Sequence, residues 1–161
     1  IHLHFTSRLK NPLAKYKCYC LNSDMTENSK DLRSNCPINF AVETFGDKWT
    51  LLVIRDLLFK GKRYYSDFLA SDEKISTNIL ADRLQKLEIK GVITKSADPE
   101  NASKYIYSLT EKGQALLPAM IEVTAWSAQY DSLTNTPEDF LNSYKTNKSA
   151  LIEMFKIQLK H

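Results

Sequence analysis

The stretch from residue 76 to residue 110 decides the fold of this chain. It reads STNILADRLQKLEIKGVITKSADPENASKYIYSLT. Three leucines recur three or four residues apart in its first half, which predicts one buried face of a helix. Ser76 stands where an N-cap is expected, and Gly91 stands where a left-handed residue commonly ends a helix. We therefore predict a capped amphipathic helix that runs directly into two short strands.

Two segments with the alternation of strands follow that helix. They cover residues 92–97 and 104–109, and the intervening residues 98–103 have the composition of a loop. A helix followed by a β-ribbon is the order of a recognition helix and its wing, with which many small proteins bind duplex DNA. The sequence therefore favours a DNA-binding regulator over an enzyme.

Three helices are predicted upstream of this unit. Pro37 suits the first position of a helix that Gly46 ends. The apolar positions that mark the buried face of this helix are Ile38, Ala41, Val42 and Phe45. Asp47 is placed to cap a second helix over residues 47–59, and a short third helix is predicted over 64–70.

Helices are also predicted downstream of the strands. Thr110 is placed to cap a long helix from Glu111 to about Tyr130, with a break near Pro118. Residues 138–160 predict one or two more helices. The expected fold class is α+β and mostly α: a winged helix-turn-helix with a long C-terminal dimerisation helix and an extra C-terminal helical segment.

Composition divides the chain into three parts. Residues 1–24 do not begin with Met and have no helical apolar stripe, so we expect a disordered leader or vector-derived segment; the alternative is a basic arm that touches DNA phosphate. Residues 25–131 are predicted to form the DNA-binding domain with its dimerisation helix, and 132–161 a C-terminal helical extension. Residues 48–104 hold 11 basic and 8 acidic side chains, so a basic excess falls on the predicted DNA-binding part.

Residues that carry chemistry are sparse, which argues against an enzyme. The histidines are all near the termini, and neither a glycine-rich phosphate loop nor a Cys/His cluster with metal spacing occurs. We therefore expect no metal and no cofactor. No apolar run reaches the roughly 18 residues of a membrane span, so no membrane partner is expected. Cys18 and Cys20 fall in the first 24 residues, which leaves Cys36 as the one cysteine of the folded part and predicts a reducing, cytoplasmic setting.

Several short motifs resemble those of a known family. They are Cys36-Pro37, the run GDKWTLL at 46–52, Ile75-Ser76, Leu80 with Arg83-Leu84, Leu87-Glu88, Gly91-Val92, and YSLT at 107–110 with Gly113. In this combination and order, which covers residues 36–130, the chain resembles the HxlR-type transcriptional regulators, relatives of the MarR group.

The resemblance implies a function and a mode of assembly. It implies a homodimer that binds a palindromic operator in double-stranded DNA, mostly as a repressor, with the N-terminal and long C-terminal helices at the dimer interface. In several members the cysteine before the proline senses electrophiles or oxidants, which implies a small molecule of that class as effector. Residues 132–161 extend past the expected end of such proteins.

The predicted recognition helix presents small and polar side chains opposite its leucines. Thr77 and Asn78 occupy its first turn, where recognition helices meet base edges, and Asn contacts adenine in the major groove. Ser76 and Lys86 belong to the same predicted DNA-binding surface. The competing interpretation is an ordinary capped turn at the surface.

Cations outside that helix predict phosphate contacts. Lys62, Arg63 and Tyr65 open the third helix, where a helix N-terminus favours phosphate; the alternative is a solvated turn. Lys95 and Lys104 flank the wing loop and are placed to straddle the minor groove.

Several acidic, aromatic and basic side chains near this surface are predicted to oppose DNA binding or to serve the structure of the domain instead. Asp98 and Glu100 in the wing loop repel phosphate. Tyr105 and Tyr107 are predicted to line a strand face against the body of the domain. Arg83 has two open interpretations, because it either reaches phosphate or pairs with a carboxylate. The candidate carboxylates are Asp82, Glu88 and Glu43.

Cys36 is the candidate for redox sensing. A cysteine at a helix start lies near the positive end of the helix dipole, which favours the thiolate that oxidants attack. The alternative is a cysteine that only caps the helix or packs at the dimer interface.

The long C-terminal helix has more apolar positions than a single small domain is expected to bury. The side chains predicted to form the dimer interface with the first helix are Leu117, Met120, Ile121 and Trp126. The alternative function is a winged-helix protein-interaction module without DNA binding, which would need apolar residues on the exposed face of the predicted recognition helix.

Overall fold

The computed structural model describes residues 33–159, so the predictions for residues 1–24 lie outside the described range. These residues fall into two units, one extending as far as Thr44 and the other beginning at Phe45. The fold is mostly helical with one small sheet, as predicted. Its elements are α1 (Pro37–Phe45), α2 (Lys48–Phe59), α3 (Tyr65–Leu69), α4 (Thr77–Ile89), β1 (Ile93–Ala97), β2 (Tyr105–Leu109), α5 (Glu111–Gln114), α6 (Leu117–Tyr130) and α7 (Glu138–Gln158).

Helix α1 begins at Pro37 and stops just before Gly46, as the sequence predicts. Its apolar face is not buried as expected, because Ile38 and Val42 are 70% and 52% exposed. Apolar spacing defines a face of a helix but does not supply the surface that covers it. The prediction that Ile38 and Val42 are buried is therefore wrong for the single chain.

The second unit is built around a core of aliphatic side chains from α2, α4 and α6. Six of them are fully buried: Ile54, Leu57, Leu80, Leu87, Leu117 and Ile121. Leu84 is also buried, so the leucine stripe predicted for α4 is confirmed. Burying an aliphatic side chain of this size contributes about 1.5–3 kcal/mol, so α4 is held firmly by its inner face.

A buried carboxylate lies at the centre of the turns that lead to α4. Asp56 is 2% exposed and accepts hydrogen bonds from Lys62 Nζ at 2.8 Å, Ser71 Oγ at 2.7 Å and Arg55 Nε at 2.8 Å. Burial opposes ionisation of this carboxyl, but the three donors outweigh it and hold the pKa of Asp56 below its ordinary value. Arg55 also donates to Glu73, which lowers the pKa of Glu73 to about 2.

Helix α4 ends at a left-handed glycine that turns the chain into the wing. Gly91 has a φ of +66°, and its N–H donates to the Glu88 carbonyl at 2.9 Å. The N–H of Val92 donates to the Leu87 carbonyl, also at 2.9 Å. This pair of bonds is a Schellman motif, which confirms the predicted stop at Gly91.

The wing is an antiparallel hairpin attached to the body of the domain. Strands β1 and β2 pair with Ile93 opposite Leu109 at one end and Ala97 opposite Tyr105 at the other. Tyr107 N–H donates to the Arg63 carbonyl at 2.8 Å, so the hairpin is also tied to the segment before α3.

The predicted long C-terminal helix is split in two. Thr110 caps α5 by accepting a hydrogen bond from Gly113 N–H at 3.1 Å, and a new helix starts at Leu117 with Pro118 in its first turn. Both features confirm the sequence prediction. Gly113 is required here, because a Cβ at this position would lie 2.2 Å from the Val92 carbonyl oxygen.

Helix α7 packs on α6 and changes what α6 exposes. Leu151 of α7 joins the same core as Leu117, Met120 and Ile121, which are 0%, 9% and 0% exposed. These three side chains were predicted to form the dimer interface, but they are buried within a single chain, where α7 covers α6. The α6 residue Trp126 remains 64% exposed.

Replacing Asp56 tests the buried carboxylate. Asp56→Asn keeps the volume but leaves Lys62 and Arg55 without part of their compensation, so we expect a loss of about 3 kcal/mol in the free energy of unfolding. Urea unfolding followed by circular dichroism measures it. The exposed Asp72→Asn is the matched control, with an expected change within about 0.5 kcal/mol. Equal unfolding midpoints for the two variants would refute this role of Asp56.

Candidate nucleic-acid interface

The outer face of α4 is small and polar over most of its length. Thr77, Asn78, Ala81 and Gln85 are exposed, as is Ser76 immediately before the helix. Because the opposite face is locked into the core, these side chains project from a rigid support. Gln85 was predicted to lie on this face with Thr77 and Asn78, and it is exposed there, although only Thr77 and Asn78 were predicted to meet base edges.

The start of α4 is fixed by α3 rather than by its own cap. Ser76 occupies the N-cap position with an extended backbone, but within residues 33–159 its side chain makes no capping hydrogen bond. Instead, the Tyr65 hydroxyl donates to the Thr77 carbonyl at 2.7 Å. Tyr65 was predicted to hold phosphate, and its hydroxyl is instead used to join α3 to α4.

Arg83 pairs with carboxylates, which was one of its two open interpretations. Its Nε donates to Asp47 Oδ1 at 2.8 Å, and its Nη1 donates to Asp82. Asp82 was a candidate partner, whereas Asp47 was not. The Asp47 carboxylate also accepts from Trp49 N–H and Thr50 N–H at the start of α2.

The ionisation of Asp47 reflects these contacts. Burial opposes the charged form, but the Thr50 N–H and Arg83 outweigh it and lower the pKa of Asp47. Asp47 therefore joins α2 to α4 while it caps α2. The predicted cap is confirmed, and the pairing directs Arg83 into the domain.

The cations before α3 are also used inside the domain. Lys62 Nζ lies between Asp56 Oδ2 at 2.8 Å and Ser71 Oγ at 2.6 Å, and its side chain is only 18% exposed. Arg63 Nη1 donates to the carbonyls of Leu57 and Lys62, both at 3.1 Å. These two side chains therefore do not form the expected phosphate site, because their N–H groups donate to a buried carboxylate, to a carbonyl in the last turn of α2 and to a carbonyl in the loop after it.

The remaining candidate cations lie at the surface. Lys86 is exposed on α4 and pairs with Asp82 at 2.9 Å, an exposed pair of the kind that is worth little energy. Lys95 and Lys104 are exposed on the wing. Lys74, which was not predicted as a site residue, is exposed in the turn before α4. Its backbone has a positive φ of 54°, and nothing in the sequence indicated that conformation.

The wing tip is ordered by internal hydrogen bonds. Asp98 is 8% exposed and accepts from the Tyr64 hydroxyl at 3.1 Å and from Glu100 N–H at 2.9 Å. The hydrogen bond to Asp98 raises the pKa of Tyr64. Because Asp98 faces inward, its expected repulsion of phosphate is reduced, whereas Glu100 is exposed.

The two wing tyrosines have different environments. Tyr107 is buried at 6% exposure, as predicted, but Tyr105 is 50% exposed near the tip, where the hairpin extends past the body of the domain. Lys95 Nζ lies 4.1 Å from the centre of the Tyr105 ring. Tyr105 lines a pocket together with Tyr64, Tyr65 and Tyr107, so it lies on the predicted strand face, but half of its surface stays exposed.

Cys36 directly precedes α1, and its carbonyl accepts the first helical hydrogen bond, from Phe40 N–H at 3.0 Å. Its backbone N–H donates to Ser34 Oγ at 3.4 Å. The residue is partly exposed. In the same unit, Arg33 pairs with Glu43 at 2.6 Å. The predicted placement of Cys36 at the helix start is thus observed.

Other site classes are not evident in the described range. Residues 33–159 contain no group of three or more His, Cys, Asp and Glu side chains placed to hold a metal ion. Over the same residues, no helix has the length and apolar character needed to cross a membrane.

An apolar stripe remains on α6. Val123, Trp126 and Tyr130 are 51%, 64% and 67% exposed, and the Trp126 and Tyr130 rings lie 5.3 Å apart. Their spacing of three and four residues puts them on one side of the helix. Of the four predicted interface residues on this helix, only Trp126 belongs to this stripe.

Two solved structures of regulators resemble this chain in fold. The redox regulator HypR in its oxidised form covers 58% of this chain and 96% of its own, with a TM-score of 0.53 and 26% identity. The reduced form of the transcriptional regulator YodB from Bacillus subtilis covers 62% and 98%, with a TM-score of 0.50 and 30% identity.

Sequence comparison agrees with the fold. The HTH-type transcriptional regulator YvaP of Bacillus subtilis, itself uncharacterised, is 33% identical over 96 residues, which are 59% of this chain and 88% of YvaP. YodB of the same organism is 34% identical over 96 residues, covering 59% and 85%. The model of the HxlR-like helix-turn-helix family matches residues 44–135, more than half of the chain. The resemblance predicted from the motifs is thus confirmed, and the chain belongs to the HxlR-like helix-turn-helix family of transcriptional regulators.

Proposed function

We propose that this regulator binds a palindromic DNA operator as a homodimer and acts as a repressor. The observation that carries the proposal is the exposed first turn of α4, where Thr77 and Asn78 project from a helix fixed by its leucines and by Arg83. Recognition helices contact base edges with this turn, and an Asn amide suits adenine. The polar character of the face argues against the alternative of a protein-interaction module.

Phosphate contacts are assigned to the exposed cations. Lys86, Lys95 and Lys104 are exposed, and Lys74 adds a fourth beside the start of α4. Lys62, Arg63 and Arg83 support the interface from inside, because their hydrogen bonds go to groups of the domain itself. A two-fold dimer would place two α4 helices in major grooves about one turn of DNA apart.

Asn78→Ala tests base recognition. The site is first obtained by selection from random duplexes, which should enrich an inverted repeat. We expect the variant to lose about tenfold or more in affinity for that site, because one good base contact is worth about 1–3 kcal/mol. Affinity for unrelated duplex should stay the same. Fluorescence anisotropy measures both.

Two variants sharpen this test. Lys104→Ala should weaken both duplexes alike and reduce the salt dependence, since it removes a phosphate contact. Asn142→Ala on α7 is the matched control and should change neither affinity. Selection that enriches no inverted repeat, or an Asn78→Ala protein with unchanged preference, would contradict the proposal and favour the protein-interaction module.

The homodimer is assigned to the α6 stripe. Val123, Trp126 and Tyr130 form an exposed apolar surface, and patches of this kind on regulators commonly mark protein contacts. Ile38 and Val42 of α1 offer a second exposed apolar face for the partner subunit. This assignment replaces Leu117, Met120 and Ile121, which belong to the core of a single chain.

Trp126→Ser combined with Tyr130→Ser tests the dimer. We expect the native protein to sediment at twice the chain mass of 18.5 kDa and the double variant at the chain mass. The physical reason is the loss of two large aromatic side chains from a contact that depends on their burial. Leu133→Ser is the control, because Leu133 is 87% exposed outside the stripe. A native protein that sediments as a monomer would contradict the assignment.

Redox sensing is assigned to Cys36. The support is its position at the start of α1 and the likeness of the chain to HypR, a redox regulator. Oxidation joins two thiols in one disulfide and transfers two protons and two electrons to the oxidant. Within residues 33–159 Cys36 is the sole cysteine, so we assign the disulfide to two subunits or to a small thiol. A reducing cytoplasm would keep the thiol poised for this reaction.

A protein with Cys18 and Cys20 changed to serine tests this assignment. We expect treatment with diamide to lower its operator affinity about tenfold or more, and dithiothreitol to restore it, because a new bond at α1 would alter the assembly that holds the two α4 helices. Cys36→Ser in the same background is the control and should not respond. Full operator binding after complete thiol oxidation would make Cys36 structural only.

A further inference from the structure

A cavity of about 480 Å³ is lined by α2, α6, α7 and the segment between α6 and α7. Its walls include the rings of Phe59, Phe140 and Phe155 together with Met154. The Phe59 and Phe155 rings meet edge to face at 5.1 Å. Cavities of roughly 300–1,000 Å³ with apolar walls are typical of sites for small molecules.

The charged groups that line this cavity already have partners. Arg55 donates to Asp56 and Glu73, and Lys60 Nζ lies 3.9 Å from Asp56. Asp139, the one carboxylate in the lining, accepts a hydrogen bond from Phe140 N–H at 2.8 Å. Arg55, the least exposed of these charges, already has two carboxylate partners, so in return for its lost hydration a charged ligand would find only the exposed Lys60 and Asp139, which makes its binding costly. An uncharged ligand avoids that cost.

We propose that this cavity binds a small, uncharged and mainly apolar molecule with an aromatic or alkyl body. The ring-lined walls would take up the apolar body, and Thr124, Asn135 and Ser143 provide polar groups for one neutral substituent. The whole α7 side of the cavity lies beyond residue 135, where the match to the family ends. The α7 wall therefore lies outside the part of the chain that the family model covers, whereas the α2 and α6 walls lie within it.

Arg55 links the cavity to α4. It lines the cavity, and its Nη2 donates at 3.1 Å to Glu73, three residues before Ser76. A ligand that shifts Arg55 would also shift the turn that enters α4. This regulatory consequence rests on the proposed function, whereas the binding site itself does not.

A matched pair of dyes tests the site in the native, DNA-free protein. N-phenylnaphthylamine is neutral, and anilinonaphthalene sulfonate has the same rings with a negative charge added. We expect the neutral dye to bind saturably at one site per chain and at least about tenfold more tightly than the sulfonate. Fluorescence titration measures both affinities. Tighter binding of the sulfonate, or no saturable binding, would overturn the proposal.

Filling variants locate the bound dye. Ser143→Trp and Met154→Trp put a large ring into the cavity, and each should weaken the neutral dye about tenfold or more. Asn142→Trp and Ile157→Trp are the controls, since both positions are exposed on α7 and neither lines the cavity. Thermal melting identifies any variant that fails to fold, and the other filling variant then decides. Equal binding by folded filling and control variants would place the dye elsewhere and refute the site.

The regulatory consequence has a separate readout. With the cavity saturated by the neutral dye, we expect the affinity for the selected operator to change at least about threefold, and not to change in Met154→Trp. Binding of the dye without any effect on operator affinity would leave the site standing and overturn its link to α4. A protein that selects no operator would instead contradict the proposed function alone.

Discussion

The buried Asp56 carboxylate must be compensated by hydrogen-bond donors, and the conformation of the segment between α2 and α4 depends on that constraint. A carboxylate that is 2% exposed needs donors on every side, and the chain supplies them from Arg55, Lys62 and Ser71. Those donors come from the end of α2 and from both sides of α3. One charge thereby fixes the two turns between α2 and α4, and the path of the backbone there follows from electrostatics more than from turn propensity.

The Asp47–Arg83 pair applies the same logic at the other end of α2. Asp47 caps α2 and accepts from Arg83 of α4, so one carboxylate sets both the start of one helix and the rotation of the other. Together with the buried leucines, it leaves α4 little freedom to roll. A rigid helix is the precondition for base readout, because base contacts demand side chains held close to their bound geometry. Cations that look suited to phosphate are used to obtain that rigidity.

The features predicted correctly from the sequence depend on residues that are close together in the chain, whereas the features that were missed depend on contacts between residues far apart in it. The α4 leucine stripe, the stop at Gly91, the Thr110 cap and the break near Pro118 are all set by residues a few positions apart. Three features instead depend on contacts between different elements. They are the pairing of Lys62 with Asp56, the pairing of Arg83 with Asp47 and the covering of α6 by α7. No local period encodes them, because several carboxylates or apolar faces compete for the same partner until the chain is folded.

Helix α7, which lies beyond the family match, changes the surface of the helices that it packs against. It packs on α6, places Leu151 in the core and reduces the apolar surface of α6 to the stripe of Val123, Trp126 and Tyr130. Where its Phe140 and Phe155 do not fill the space against Phe59, the aromatic-lined cavity remains. Helix α7 contacts the end of α2 that holds Phe59, and the residues that line the cavity do not include the exposed face of α4. The separation follows from geometry: the cavity lies at the C-terminal end of α2, at Arg55, Phe59 and Lys60, whereas Asp47 pairs with Arg83 at the N-terminal end of α2.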